Sequence, residues 1–255
     1  MALARADLES LLRARQLDRT LTTALPQVDP RDESALAPSG VRALDARLGG
    51  GFPRGQLSEL VGPRSSGRTS LLLQMMAAAT RRGELVALVD ALDMLDVESA
   101  AAAGVDLDRL LWIRGHLVTN QGLCRDLNQR AIEQAIRAFT LVLQAGNFGL
   151  VVCDVAEAPA DAVRWLPFTT WLRLQRMVES SQTACVLVGG DAMARSSAGL
   201  TLKCGVRSAE CGVPTAGGRR FHGSLFDGLD VEARVVRARA REQEDVRVSL
   251  STTCA

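Results

Sequence analysis

Gly62-Pro63-Arg64-Ser65-Ser66-Gly67-Arg68-Thr69 has the spacing of a phosphate-binding loop, GxxxxGK[ST], with arginine where lysine is usual. Its glycines let backbone N–H groups curl around phosphate oxygens, and the helix that follows turns its positive end toward the same anion. Thr69, with Ser70 beside it, is placed to hold Mg²⁺. Arg68 keeps the charge of lysine but carries it on a wide planar fork. Two outcomes are open for such a loop: it holds a triphosphate in a displaced position, or the guanidinium fills the pocket. A Gly/Ser turn that binds nothing is the plain alternative. Leu150-Val151-Val152-Cys153-Asp154 supplies the second half of a phosphate site, four apolar residues and then an acid that polarises Mg²⁺-bound water. Many strands end in aspartate, so Asp154 takes its weight from following the loop at a sensible distance.

These residues need a strand before each loop and a helix after it, and the pattern provides them. Strands are predicted at 57–61, 85–90, 110–113, 150–154 and 184–188, and helices at 69–82, 126–145 and 164–181. Apolar runs alternating with helices imply a parallel sheet; three further strands at 200–206, 231–238 and 246–251 have no helices between them and imply an antiparallel extension. The fold class is therefore α/β with a mostly parallel central sheet. Leucines at 8, 11, 12, 17, 21 and 25 share one helical face and predict an N-terminal helical arm over 1–25. Residues 26–40, with three prolines and several charges, read as a linker, and 41–255 as the core domain.

Residues 38–113 resemble the ATP-binding core of RecA-type recombinases. Leu44-Asp45, Leu48-Gly49, Pro53 and Gly55, then GPRSSGRTSLLLQ (62–74), VDALDMLD (89–96) and AGVDLDRLL (103–111), follow that family in order and spacing. The likeness is patchier through 139–154, 186–210 and 232–241. The short middle section, with RLQRMVESSQTACVLV at 173–188, is more similar to the ImuA branch, the RecA-like members of bacterial SOS mutagenesis cassettes. The resemblance implies a RecA-like core, ATP and Mg²⁺ as cofactors, and partners in translesion synthesis: an ImuB-like inactive Y-family polymerase, an error-prone replicative-type polymerase, and RecA.

Departures from the family point away from turnover. Its catalytic Glu, which activates the attacking water, matches Leu92 here, and leucine takes no proton. Neighbouring Asp93 faces another way on a strand or tight turn; Asp90, Asp93, Asp96 and Glu98 also read as caps around a helix start. The family's two DNA-facing loops match 155–163, which has no basic residue and holds Glu157 and Asp161, and 189–199, which has Arg195 alone. Both lack stacking aromatics, so single-stranded DNA binding is expected to be weak. Arg237, Arg239 and Arg241 share a strand face; in the family, residues matching Arg239 and Arg241 reach a neighbouring subunit's phosphates. Residues 212–228, glycine-rich with Arg219 and Arg220, read as a hairpin or a partner or DNA contact. Trp165, Trp171, Arg173 and Arg176, with Leu8, Leu12, Leu17 and Leu21 of the arm, are candidate subunit or partner contacts, core packing being the alternative for the tryptophans.

Composition agrees with a folded protein. Hydrophobic residues are 47% and charged residues 23%, and the net charge of +1 gives no global pull toward nucleic acid. Cysteines at 124, 153, 185, 204, 211 and 254 form no CxxC pair, and His116 and His222 complete no zinc framework. No apolar run reaches membrane length, and a charged N-terminus is unlike a signal peptide. The expectation is a cytoplasmic, nucleoid-associated protein that is a monomer or small oligomer rather than a filament. It would be a non-hydrolysing accessory protein for error-prone synthesis. A slow DNA-dependent ATPase of the RecA/RadA type is the rival, and a nucleotide-binding switch without hydrolysis the third reading.

Overall fold

A computed structural model describes residues 35–115, 125–179, 181–206, 229–238 and 247–252. A two-strand ribbon opens it: β1 (Leu36–Ala37) pairs antiparallel with β2 (Phe52–Pro53) around helix α1 (Arg42–Arg47). Ala37 and Ser39 are buried, so the last residues of the stretch read as linker are packed into the fold. The core alternates β3 (Leu57–Val61), α2 (Arg68–Arg81), β4 (Val86–Asp90), α3 (Val97–Ala102), β5 (Leu110–Arg114), α4 (Arg125–Ala145) and β6 (Leu150–Asp154). Helices α5 (Ala160–Arg164) and α6 (Phe168–Val178) follow, then β7 (Ala184–Gly189), β8 (Leu200–Val206), β9 (Leu229–Ala238) and β10 (Arg247–Thr252).

The main sheet has eight strands in the order β10-β9-β8-β3-β7-β6-β4-β5. From β8 to β5 all neighbours are parallel; β8–β9 and β9–β10 are antiparallel. Side chains of the central strands alternate between two apolar clusters. Leu88, Val152 and Val186 face Leu72 and Met76 of α2, while Val89, Val151 and Leu187 face Ile132 and Phe139 of α4 and Leu174 of α6. Both faces of the sheet are covered, which is why its strands read as unbroken apolar runs.

The helix expected over 164–181 is two helices, α5 and α6, broken at Pro167. Proline has no N–H for the preceding turn and disfavours helical backbone at Leu166. Trp165 closes the first piece and stands exposed.

Parallel register brings the functional ends together. Val61 pairs with Gly189, and Asp154 lies between Asp90 and Val188 in neighbouring strands. Residues 62–67, Asp90, Asp154 and the turn after β6 thus share one edge of the sheet, where ligands of open α/β sheets bind.

Candidate nucleotide-binding site

The loop leaves β3 at Gly62, whose N–H donates to the Gly189 carbonyl over 3.1 Å. A Cβ on Gly62 would lie 2.5 Å from Ser66 Oγ and 2.6 Å from the Cys204 carbonyl, so only glycine fits. Ser66 N–H closes a turn on the Pro63 carbonyl (3.3 Å), and Gly67, with φ +81°, starts α2. Thr69 is exposed and Ser70 half-buried in the first turn of that helix.

Arg68 does not reach outward. Its side chain is 6% exposed; Nη1 donates to the Gly62 carbonyl beneath the loop, and Nη2 pairs with Glu157 Oε1 at 2.5 Å. The other carboxylate oxygen, Oε2, accepts from Arg64 Nε at 2.5 Å. One carboxylate from the turn after β6 therefore engages both cations of residues 62–69. Glu157, read from the sequence as an acid in a loop poor in cations, is the site residue that sequence reasoning missed. Its signal was an acid three residues past Asp154, to be set against a loop with two arginines, and it acquires meaning once β3 and β6 are known to be separated only by β7.

Asp154 stands at the tip of β6, half-buried, with Oδ1 accepting from the Ala156 N–H at 2.8 Å. Burial pushes its carboxyl up to about 6; the Ala156 hydrogen bond opposes this, Asp90 adds to it, and Arg68 opposes it. Asp90 is buried and structural: Oδ2 accepts from Leu95 N–H (2.8 Å) and Trp112 Nε1 (3.3 Å) and so holds the turn after β4.

Leu92 is half-buried against the second apolar cluster. Asp93, with φ +59°, gives both oxygens to Arg114 at 2.7 Å, and the Arg114 hydrogen bond holds its carboxyl below the ordinary range. Arg114 in turn lies 4.6 Å from the Trp112 ring centroid. Asp96 caps α3 through the Ser99 N–H.

A second missed acid is Glu59, buried in β3. Its Oε1 accepts from Met193 and Ala194 N–H and its Oε2 from Thr201 Oγ1, each at 2.7 Å, which fixes the segment after β7. An acid inside the apolar run LSELV was the available signal. Burial pushes the Cys153 and Cys185 thiols up, and Cys204 up to about 12, so these are core residues rather than ligands. Among the described residues no group of three or more His, Cys, Asp or Glu could hold a metal ion.

Of the proposed contact residues, Trp171 is 3% exposed and packs in the second cluster, whereas Trp165 is 63% exposed. Burial removes Trp171 from the surface a partner could reach. Arg173 and Arg176 are exposed on α6. Arg173, Trp165, Leu141 and Arg137 line a groove of about 560 Å³ between α4 and the α5–α6 pair. Arg237 donates to the Arg195 carbonyl at 2.6 Å. Leu8, Leu12, Leu17, Leu21, Arg239, Arg241 and residues 212–228 lie outside the described residues. Among those described, no helix is long and apolar enough to cross a membrane.

The family profile of the RecA N-terminal domain matches residues 22–158, more than half the chain. The chain belongs to this family. It is 36% identical over 156 residues to Protein RecA of Clavibacter michiganensis subsp. michiganensis, covering 55% of this chain and 39% of the relative. Against Protein RecA of Salinispora arenicola the identity is 43% over 156 residues, 55% and 41% of the two chains. Against that of Acholeplasma laidlawii it is 40% over 133 residues, 51% and 36%. The matches thus span about two fifths of these relatives' length. Family membership makes ATP and Mg²⁺ the candidate ligands to test against residues 62–69, Thr69 and Asp154. As placed, the residues do not fit a triphosphate: the loop's cations are both engaged by Glu157, and Arg68 is folded beneath the backbone.

Proposed function

We propose that this chain is a non-hydrolysing RecA-fold accessory protein of the ImuA type, acting through protein contacts in SOS-induced error-prone translesion synthesis and DNA repair. The observation that carries this reading is the loss of two separate parts of the hydrolysis machinery. Arg68 is bound to Gly62 and Glu157, and Leu92 packs against the core where a base would be required. Drift at one position leaves the other intact; the loss of both leaves binding as the retained activity.

The partners in this reading are an ImuB-like inactive Y-family polymerase, an error-prone replicative-type polymerase and RecA, met in the cytoplasm at the nucleoid. Exposed Trp165 and Leu141, with the guanidiniums of Arg137 and Arg173 in the same groove, suit an acidic, apolar-faced segment of the ImuB-like partner. Two measurements test the reading. Phosphate release from ATP, with and without single-stranded DNA, is expected at background; turnover above about 1 per minute, far below an ordinary enzyme yet real, favours the slow ATPase instead. Binding of the purified ImuB-like partner is expected to weaken at least tenfold in Trp165→Ala. Unchanged affinity in that variant moves the contact away from the groove.

A further inference from the structure

The loop over 62–69 and the turn after β6 are joined by a side chain whose placement is set by backbone. Val155 N–H donates to the Val188 carbonyl and Ala158 N–H to the Val155 carbonyl, each at 3.0 Å, and Ala156 N–H donates to Asp154 Oδ1. These bonds deliver Glu157 to the loop three residues beyond the strand tip.

We propose that Glu157 is an internal anion that occupies the phosphate loop and closes it to nucleoside triphosphates. The inference rests on the reading of the chain as a non-hydrolysing, partner-binding protein and says what has become of its loop.

Three observations carry it. A carboxylate pairs with a guanidinium by charge-assisted hydrogen bonds as a phosphate does, and Glu157 bridges the loop's two arginines with one oxygen to each. Arg68 and Glu157 are 6% and 19% exposed, so this pair is largely removed from water and its attraction is little screened. Arg68 also spends its other terminal nitrogen on the Gly62 carbonyl, which holds the guanidinium under the loop. A triphosphate would have to expel Glu157 and leave that carboxylate beside its own negative charges. Within the same loop, Ser66 Oγ is buried and has no hydrogen-bond partner. Removing the internal charge should therefore uncover an affinity that the native chain does not express.

The test uses the full chain as wild type, Glu157→Gln and Glu157→Ala. Gln keeps the shape and removes the charge, and guards against a fold lost with Ala. A fluorescent ATP analogue with Mg²⁺ is titrated into each, and inorganic tripolyphosphate competes. Wild type is expected to show no saturable binding to about 1 mM, and both variants to bind at least tenfold more tightly. Mg²⁺–ATP is expected to raise the melting temperature of the variants and not of wild type. Wild-type binding as tight as that of Glu157→Gln overturns the inference, and so does a folded Glu157→Gln that gains nothing. Hydrolysis by wild type overturns the non-hydrolysing reading instead. Binding by Glu157→Gln together with turnover supports the internal anion while locating the loss of activity at Glu157 rather than at Leu92.

Discussion

At position 68 the exchange of an ammonium for a guanidinium changes where the charge can go. A guanidinium offers several N–H donors on one plane, so Arg68 can hold a backbone carbonyl and a carboxylate at once. Lysine at this position would keep the charge and lose the fork. Arg68→Lys is expected to loosen the contact with Glu157 and lower stability by roughly 1–2 kcal/mol in urea unfolding. No loss would mean that the buried pair contributes nothing net, as some buried ion pairs do. Asp154 carries the opposite cost. Burial raises its carboxyl from the ordinary carboxylate range to about 6, so the fold disfavours the ionised form. Its contribution is most favourable below about pH 4 and is lost as pH rises to about 6, on the order of 3 kcal/mol. Asp154→Asn is therefore expected to stabilise the protein at pH 7.5 and to change little at pH 4. Equal effects at both pH values would show that burial is not what raises this group.

At the scale of elements, one arginine ties together the ends of strands that are far apart in the chain. Arg54 Nη1 donates to the carbonyls of Gly149 (3.0 Å) and Gln182 (2.8 Å), and Nη2 pairs with Glu84 at 2.6 Å. These residues precede β6, β7 and β4. Burial alone would raise the Glu84 carboxyl, but Arg82 and Arg54 outweigh it and hold it below its usual range. Arg54→Ala removes a donor from the carbonyls of Leu36, Gly149 and Gln182 and leaves Glu84 with Arg82 alone, and a loss of about 2 kcal/mol is expected in chemical denaturation. A loss under about 0.5 kcal/mol would reduce the tie to a surface contact. The strands this residue gathers were legible in the sequence because each is an apolar run ending at a turn. Residues 57–61 and 150–154 were read with the bounds they have. Helix α4 was equally plain, from its length and its closing Gly146. The break between α5 and α6 was visible as Leu166-Pro167, but the leucines and arginines on either side continue a helical rhythm that hid it. The Glu157 contact was not legible in local pattern, because it joins positions 89 and 93 residues apart and depends on the strand order β3-β7-β6.

For the whole molecule the question is whether the chain can build a filament. A head-to-tail contact that does not close gives fibres, so it must be retained at both ends of the protomer and, in a recombinase, supported by nucleotide and DNA. Here the nucleotide loop is engaged from within. The segment between β6 and α5 is a turn of five residues held by its own hydrogen bonds, and the segment after β7 is anchored on buried Glu59. Neither offers the run of cations or stacking rings that a single strand requires. Among the described residues the two apolar clusters draw their buried members from Ala37 to Ala233, and the expectation is that they hold the core together. Deletion of residues 1–25 is expected to leave the melting curve of the core within a few degrees of wild type while weakening the association with RecA or the ImuB-like partner. Light scattering of the full chain is expected to give a monomer or small closed oligomer. Electron microscopy with ATP and single-stranded DNA is expected to show no regular filaments. Long filaments would refute both the occupied phosphate loop proposed above and the expectation of weak contact with single-stranded DNA.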